Sequence, residues 1–292
     1  MWAHDLKLQR ASQHLKELEG EIDGWVKGDG YSIRIEPDPD PQHREYEIKA
    51  YILREITEDP FSLLIGDFLQ NARAALDYIA FALCEAGAEG GLSDETALNV
   101  GFPVVGDVDR EGFSGRGGDR FDQLASQKIP TVTKPVRTAI EESQPYYTGG
   151  EFWAYEPLWV LHELARFDRH RFLHPAVVHT GEVRLDPAVT RNVRVRDFRF
   201  TWGERVIEEP DWGEHGAPSG AVLATFTALP ADPKKEMQMK PLADLILGFS
   251  IDTLPPTVPS LAGDEVGLVL WKVERVVKDL LGTLAPHLSA SP

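Results

Sequence analysis

His162-Glu163-Leu164-Ala165-Arg166-Phe167-Asp168-Arg169-His170-Arg171-Phe172-Leu173-His174-Pro175 is where the chain changes character. Upstream, Leu158, Leu161, Ala165 and Phe172 repeat at helical spacing behind Pro157, which predicts a helix over 156–173 that stops before Pro175. Downstream, Val177–Val178, Val183–Leu185, Val193–Trp202, Val222–Ala228 and Leu242–Ile251 alternate or run apolar between Gly and Pro, the texture of strands. In the third of these the apolar residues shift from odd positions (Val193, Val195) to even ones (Phe198, Phe200, Trp202). That shift predicts a β-bulge near Arg196–Asp197.

Working outward, three more helices are expected. Leu8, Ala11, Leu15, Leu18, Ile22 and Trp25 form one stripe over 5–27. Pro60 opens a helix over 60–86 whose buried face is Phe61, Ile65, Phe68, Ala72, Leu76, Ile79 and Leu83. Val266, Leu270, Val273, Val277, Leu280 and Leu284 mark a closing helix over 264–285. Between the first two, Tyr31–Ile35 and Tyr46–Leu53 read as a hairpin, with a proline-rich acidic tip at 36–41. The fold class is therefore α+β, long core helices packed on a mostly antiparallel sheet from the C-terminal half. One domain spans 1–292, helix-rich over 1–175 and strand-rich with a closing helix over 176–292.

Composition narrows the functional classes. The 292 residues are 42% apolar and 26% charged, ordinary for a globular chain. A single cysteine, Cys84, excludes an intrachain disulfide and suits a reducing compartment. The N-terminus does not read as a signal peptide, and no apolar run approaches the roughly 20 residues of a membrane span, so a soluble cytoplasmic chain is expected. The glycines of Phe113-Ser-Gly-Arg-Gly-Gly118 lack both the Lys-Ser/Thr of a phosphate loop and a leading strand. No serine sits on a nucleophile elbow. The formal charge is −17, yet nine arginines against six acids make 162–205 a +3 segment on a remainder of −20. Paired surface arginines and a local anion-binding face both account for that excess.

The same stretch carries the candidate chemistry. His162, Arg166, His170 and His174 stand at i, i+4 spacing on one ridge, flanked by Glu163 and Arg169, with Asp168 pointing away. Imidazoles supply proton transfer near neutral pH and guanidiniums hold a phosphate, the two needs of RNA cleavage through its own 2′-hydroxyl. A second reading makes His162, Glu163, His170 and His174 metal ligands, although no HExxH pattern is present and the arginines repel a cation. A third makes the ridge a binding face for an anionic ligand, without chemistry. The structural reading pairs Arg166, Arg169 and His170 with Asp67, Asn71 and Asp77 of the 60–86 helix, a buried network joining two core helices. No cofactor is implied.

Arg169-His170-Arg171-Phe172-Leu173-His174 resembles the signature of the HEPN superfamily: Arg, a polar residue, three residues and His, late in a core helix. The resemblance implies a metal-independent ribonuclease of stress or defence type. Arg169 and His174 would be its catalytic pair, His170 the supporting polar residue, and a homodimer would share one cleft. More broadly the chain resembles a group of uncharacterised bacterial proteins. These share an Ile-Gly-Asp-x-x-x-Asn-x-Arg-x-x-Leu-Asp helix, here Ile65, Gly66, Asp67, Asn71, Arg73, Leu76 and Asp77, and a later Asp-Lys/Arg-His-Arg, here Asp168-Arg169-His170-Arg171. That likeness implies no activity.

Overall fold

The computed structural model describes residues 2–28, 30–37, 45–53, 58–106, 117–169, 173, 175–200, 206–207, 221–249, 254–262 and 264–288. The chain forms two compact units, Met1–Glu19 with Asp59–His174 and Ile251–Pro292, and Gly20–Glu58 with Pro175–Ser250. Neither is continuous in sequence. Helix α1 (Ala3–Lys27) passes from the first to the second at Glu19/Gly20.

In the first unit every described element is helical: α2 (Glu58–Gly87), α3 (Asp94–Asn99), α4 (Gly117–Lys128), α5 (Lys134–Glu142), α6 (Pro145–Thr148), a 3-10 segment (Gly150–Tyr155), α7 (Pro157–Asp168) and α8 (Val266–Leu284). The expected stripes make its core. Phe61, Ile65, Phe68, Ala72, Leu76, Ile79 and Leu83 of α2 are buried, as are Val266, Leu270, Val273, Val277, Leu280 and Leu284 of α8. Burying one such side chain contributes about 1.5–3 kcal/mol, so these two stripes are a large share of what opposes chain entropy. On α1, Ala11, Leu15 and Leu18 are buried beside His4 and His14, two imidazoles that apolar periodicity does not flag.

The second unit holds the strands β1 (Tyr31–Pro37), β2 (Glu45–Ile52), β3 (Pro175–Leu185), β4 (Val193–Phe200), β5 (Val206–Ile207), β6 (Ala221–Pro230) and β7 (Pro241–Phe249). They form a four-stranded sheet, β1-β2-β6-β4, and a three-stranded one, β5-β3-β7, with every pairing antiparallel. The mixed α+β class and its antiparallel sheets match the expectation from sequence. The source of the strands does not, because the β1–β2 hairpin joins the sheet through β2 against β6 instead of standing apart. Inward residues such as Ile48, Ala50, Ala224, Phe226 and Ala228 pack there, and Phe226 stacks on Tyr46 and Phe198 at 5.6 Å. The phase shift in β4 is a bulge: the register slips between Arg196 and Arg199, and Asp197 takes φ 51°.

Helix α7 departs from its expected bounds. It ends at Asp168, with Arg169 as its C-cap, and does not run on to Leu173. Proline disfavours helix at the residue before it but does nothing to carry a helix that far. His162 and Arg166 therefore share one helical face, while Arg169 stands at the helix end. Of the remaining motif, His170, Arg171 and His174 lie outside the described residues, as do the acidic hairpin tip at 38–44 and most of the glycine-rich loop.

Candidate anion-binding pocket

The wall of the site is set by α2. Arg73 and Asp77, one turn apart, form an ion pair: Arg73 Nη2 donates to Asp77 Oδ1 at 3.0 Å and to the Phe102 carbonyl at 2.6 Å. Asp77 Oδ1 also accepts the Phe102 amide at 2.8 Å. Gly101 makes this approach feasible, since a Cβ there would lie 3.3 Å from the same oxygen. Lys128 ends α4, and its carbonyl accepts the Gly101 amide at 3.1 Å, tying that helix end to the same edge.

From α7 come His162, Ala165, Arg166 and, at its C-cap, Arg169. Glu163, almost wholly buried, anchors this side. It accepts Arg166 Nη2 at 2.7 Å and the Thr257 hydroxyl, and lies 3.8 Å from His162 Nε2. Trp159 tilts against the His162 ring at 5.7 Å. These elements enclose a pocket of about 340 Å³ lined by Arg73, Asp77, Val100, Gly101, Lys128, His162, Ala165, Arg166 and Arg169. Its size falls in the range of small-molecule sites, roughly 300–1,000 Å³.

Electrostatically the pocket opposes the chain around it. Four permanent cations, Arg73, Lys128, Arg166 and Arg169, face one carboxylate, Asp77, whose charge Arg73 already meets. Among the described residues Arg169 and the Lys128 ammonium make no hydrogen bond or ion pair, and Arg73 Nη1 is buried without a partner. An unpaired buried donor costs about 1–3 kcal/mol unless something accepts from it. Burial, and after it the Arg73 charge, pushes the His162 imidazole down to about 4, against the raising effect of Glu163. The ring is therefore neutral near pH 7. A site so charged suits an anion and opposes a metal ion. Among the described residues no group of three His, Cys, Asp or Glu side chains is placed to hold one.

Of the residues singled out in the sequence, Arg73, Asp77, His162, Arg166 and Arg169 are brought together here. Asp67, Asn71 and Asp168 are not pocket residues. Asn71 donates to the Asp67 carbonyl at 2.7 Å and receives Lys7 Nζ at 3.5 Å. The expected pairing of Arg166 and Arg169 with Asp67, Asn71 and Asp77 does not form, because Glu163 takes Arg166 and Arg73 occupies Asp77. Helices α2 and α7 are joined instead by Gln70, which donates to the Ala165 carbonyl at 2.8 Å and to Asp168 Oδ2 at 3.1 Å. Burial raises the Asp168 carboxyl above its ordinary value, partly offset by Gln70. Lys128 carried no signal in the sequence, being one lysine on a short amphipathic helix. Comparison with protein families, curated proteins and solved structures finds no match for the chain.

Proposed function

We propose that the pocket holds a phosphate group of RNA and that the chain cleaves RNA there without a metal. The observation that carries this is the state of Arg169: it stands in an open basic pocket with no ion-pair partner among the described residues, and is not buried against Asp67, Asn71 and Asp77. A free guanidinium beside Lys128 and Arg73 offers the donors that a phosphorane-like transition state needs. In the reaction the 2′-hydroxyl loses its proton to a base as its oxygen bonds phosphorus. The P–O5′ bond then breaks, the leaving oxygen is protonated, and a 2′,3′-cyclic phosphate and a 5′-hydroxyl end remain. The HEPN resemblance assigns proton transfer to His174, with His170 in support.

A second reading, binding of an anionic ligand without chemistry, is favoured by His162. An imidazole held to about 4 is a weak base at pH 7 and carries no proton to give. The test is cleavage of a mixed RNA pool in EDTA by wild type, Arg169→Ala and His174→Ala, run beside binding of 2′-O-methyl RNA, which lacks the nucleophile. Cleavage that survives the chelator and falls about 10²–10⁴-fold in both variants is expected. Binding that Arg169→Ala weakens, with no cleavage by wild type, establishes the second reading. If neither cleavage nor binding responds to Arg169→Ala, both are refuted.

A further inference from the structure

The second unit carries a cationic surface of its own. On β6, Ala224, Phe226 and Ala228 face the core, and cross-strand partners share a face. In β4, Phe198 stacks on the buried Phe226 at 5.6 Å and so lies on the inner side, while Val195, opposite Ala228, stays 38% exposed at this edge of the sheet. Arg194 opposes Leu229, Arg196 opposes Thr227 and Arg199 opposes Thr225, which puts all three arginines on the outer face. Regular alternation would send Arg199 to the opposite face from Arg196, three residues away. The bulge, with Asp197 at φ 51°, absorbs one residue and restores Arg199 to the row.

All three arginines are exposed, and among the described residues none has an ion-pair partner, Asp197 included. The neighbouring outer row offers the side chains of Thr225 and Thr227. Among the described residues that pair across this outer face, acids appear one strand further on, at Glu45 and Glu47, and Glu47 is held by Lys49 at 2.7 Å. On a chain of net −17, a row of three guanidiniums that no described residue neutralises, kept in register by the bulge, asks for a polyanion. Successive arginines stand roughly 6.5–7 Å apart along the strand, a step close to that between phosphates of an extended single strand. The guanidinium fork matches phosphate oxygens bidentately, and the threonine hydroxyls add donors beside it. A duplex, whose phosphates curve away from a straight row, fits poorly.

We infer that the outer face of β4 and β6, through Arg194, Arg196 and Arg199, binds the phosphate backbone of a single-stranded nucleic acid. Its residues belong to the second unit, those of the pocket to the first, and the inference does not rest on the ribonuclease reading. The test uses fluorescein-labelled single-stranded oligodeoxythymidylate of about 12 nucleotides, within the site sizes of such surfaces and inert to 2′-hydroxyl cleavage. Anisotropy is read between roughly 50 and 200 mM salt for wild type, for the triple variant Arg194→Gln/Arg196→Gln/Arg199→Gln and for the corresponding triple lysine variant.

The glutamine variant should bind at least tenfold more weakly, with the slope of log affinity against log salt reduced by about 2, at about 0.7 per phosphate neutralised. The lysine variant should retain that slope, which shows that an intact sheet presents the charges. Unchanged affinity and slope in the glutamine variant overturn the inference. So does equal displacement of the oligonucleotide by polyglutamate, which would mark the face as one for an acidic protein.

Discussion

His162 carries no charge at neutral pH because burial, and then the guanidiniums of Arg73 and Arg166, outweigh the carboxylates of Glu163 and Asp77. Its folded value, about 4, lies below the ordinary 6.5 of an unfolded chain. Between those two values the unfolded chain takes up a proton that the native one refuses. The contribution to stability is therefore whole above pH 6.5 and is lost as pH falls towards 4. His4, lowered by burial, acts in the same sense, while Asp168, raised by burial, acts in the opposite one, so only a difference between variants isolates His162. Melting temperatures of wild type and His162→Gln, followed from pH 7.5 to pH 4.5, should converge as the pH drops, the variant losing less. Parallel curves would show that the imidazole is not held neutral.

Helix α2 meets α7 at Gly66, and the contact reverses the usual rule for glycine in a helix. A Cβ on Gly66 would lie 2.6 Å from Asp168 Oδ1, the carboxylate that Gln70 holds in place. In an exposed helix Gly→Ala stabilises by about 1 kcal/mol. Here Gly66→Ala should destabilise by about 1–3 kcal/mol, as overpacking does. Adding Asp168→Ala should return much of that loss, because the obstacle goes with it. Denaturant unfolding of the two single variants and the double variant measures the coupling, and additive effects would mean that the two residues do not meet.

The same elements show what was legible in the sequence. The stripes of α2 and α8 were, since 3.6-residue periodicity is imposed by one-sided burial, and so was the bulge in β4, since a change of face leaves a change of parity. The end of α7 at Asp168 was not, because no glycine or proline stands at that point and the next breaker in the sequence is Pro175. The join of β2 to β6 was also hidden: strand pairing at long range leaves no local pattern. In the site, Arg73, Asp77, His162, Arg166 and Arg169 could be picked out by type and spacing. Lys128 and the buried partnership of Glu163 with Thr257 could not, because only the fold brings them there.

At the scale of the whole molecule, the two cationic features sit on a chain of net −17, and their action depends on distance. Beyond a Debye length, about 10 Å at 0.1 M salt, an approaching polyanion meets the summed negative field. At contact it meets the local guanidiniums, where screening is weaker. Salt therefore acts on the two rates differently. Added salt screens the long-range repulsion, and the association rate with an RNA ligand should hold level or rise between about 20 and 150 mM salt. The dissociation rate should climb over the same range as contacts with Arg169 and Lys128 give way to counterions. Most basic nucleic-acid-binding proteins do the reverse on association, losing steering as salt rises. Stopped-flow mixing of the protein with labelled 2′-O-methyl RNA separates the rates. An association rate that falls steeply with salt would show that the local positive surfaces dominate the field at long range, and that the −17 of the chain does not govern how a ligand arrives.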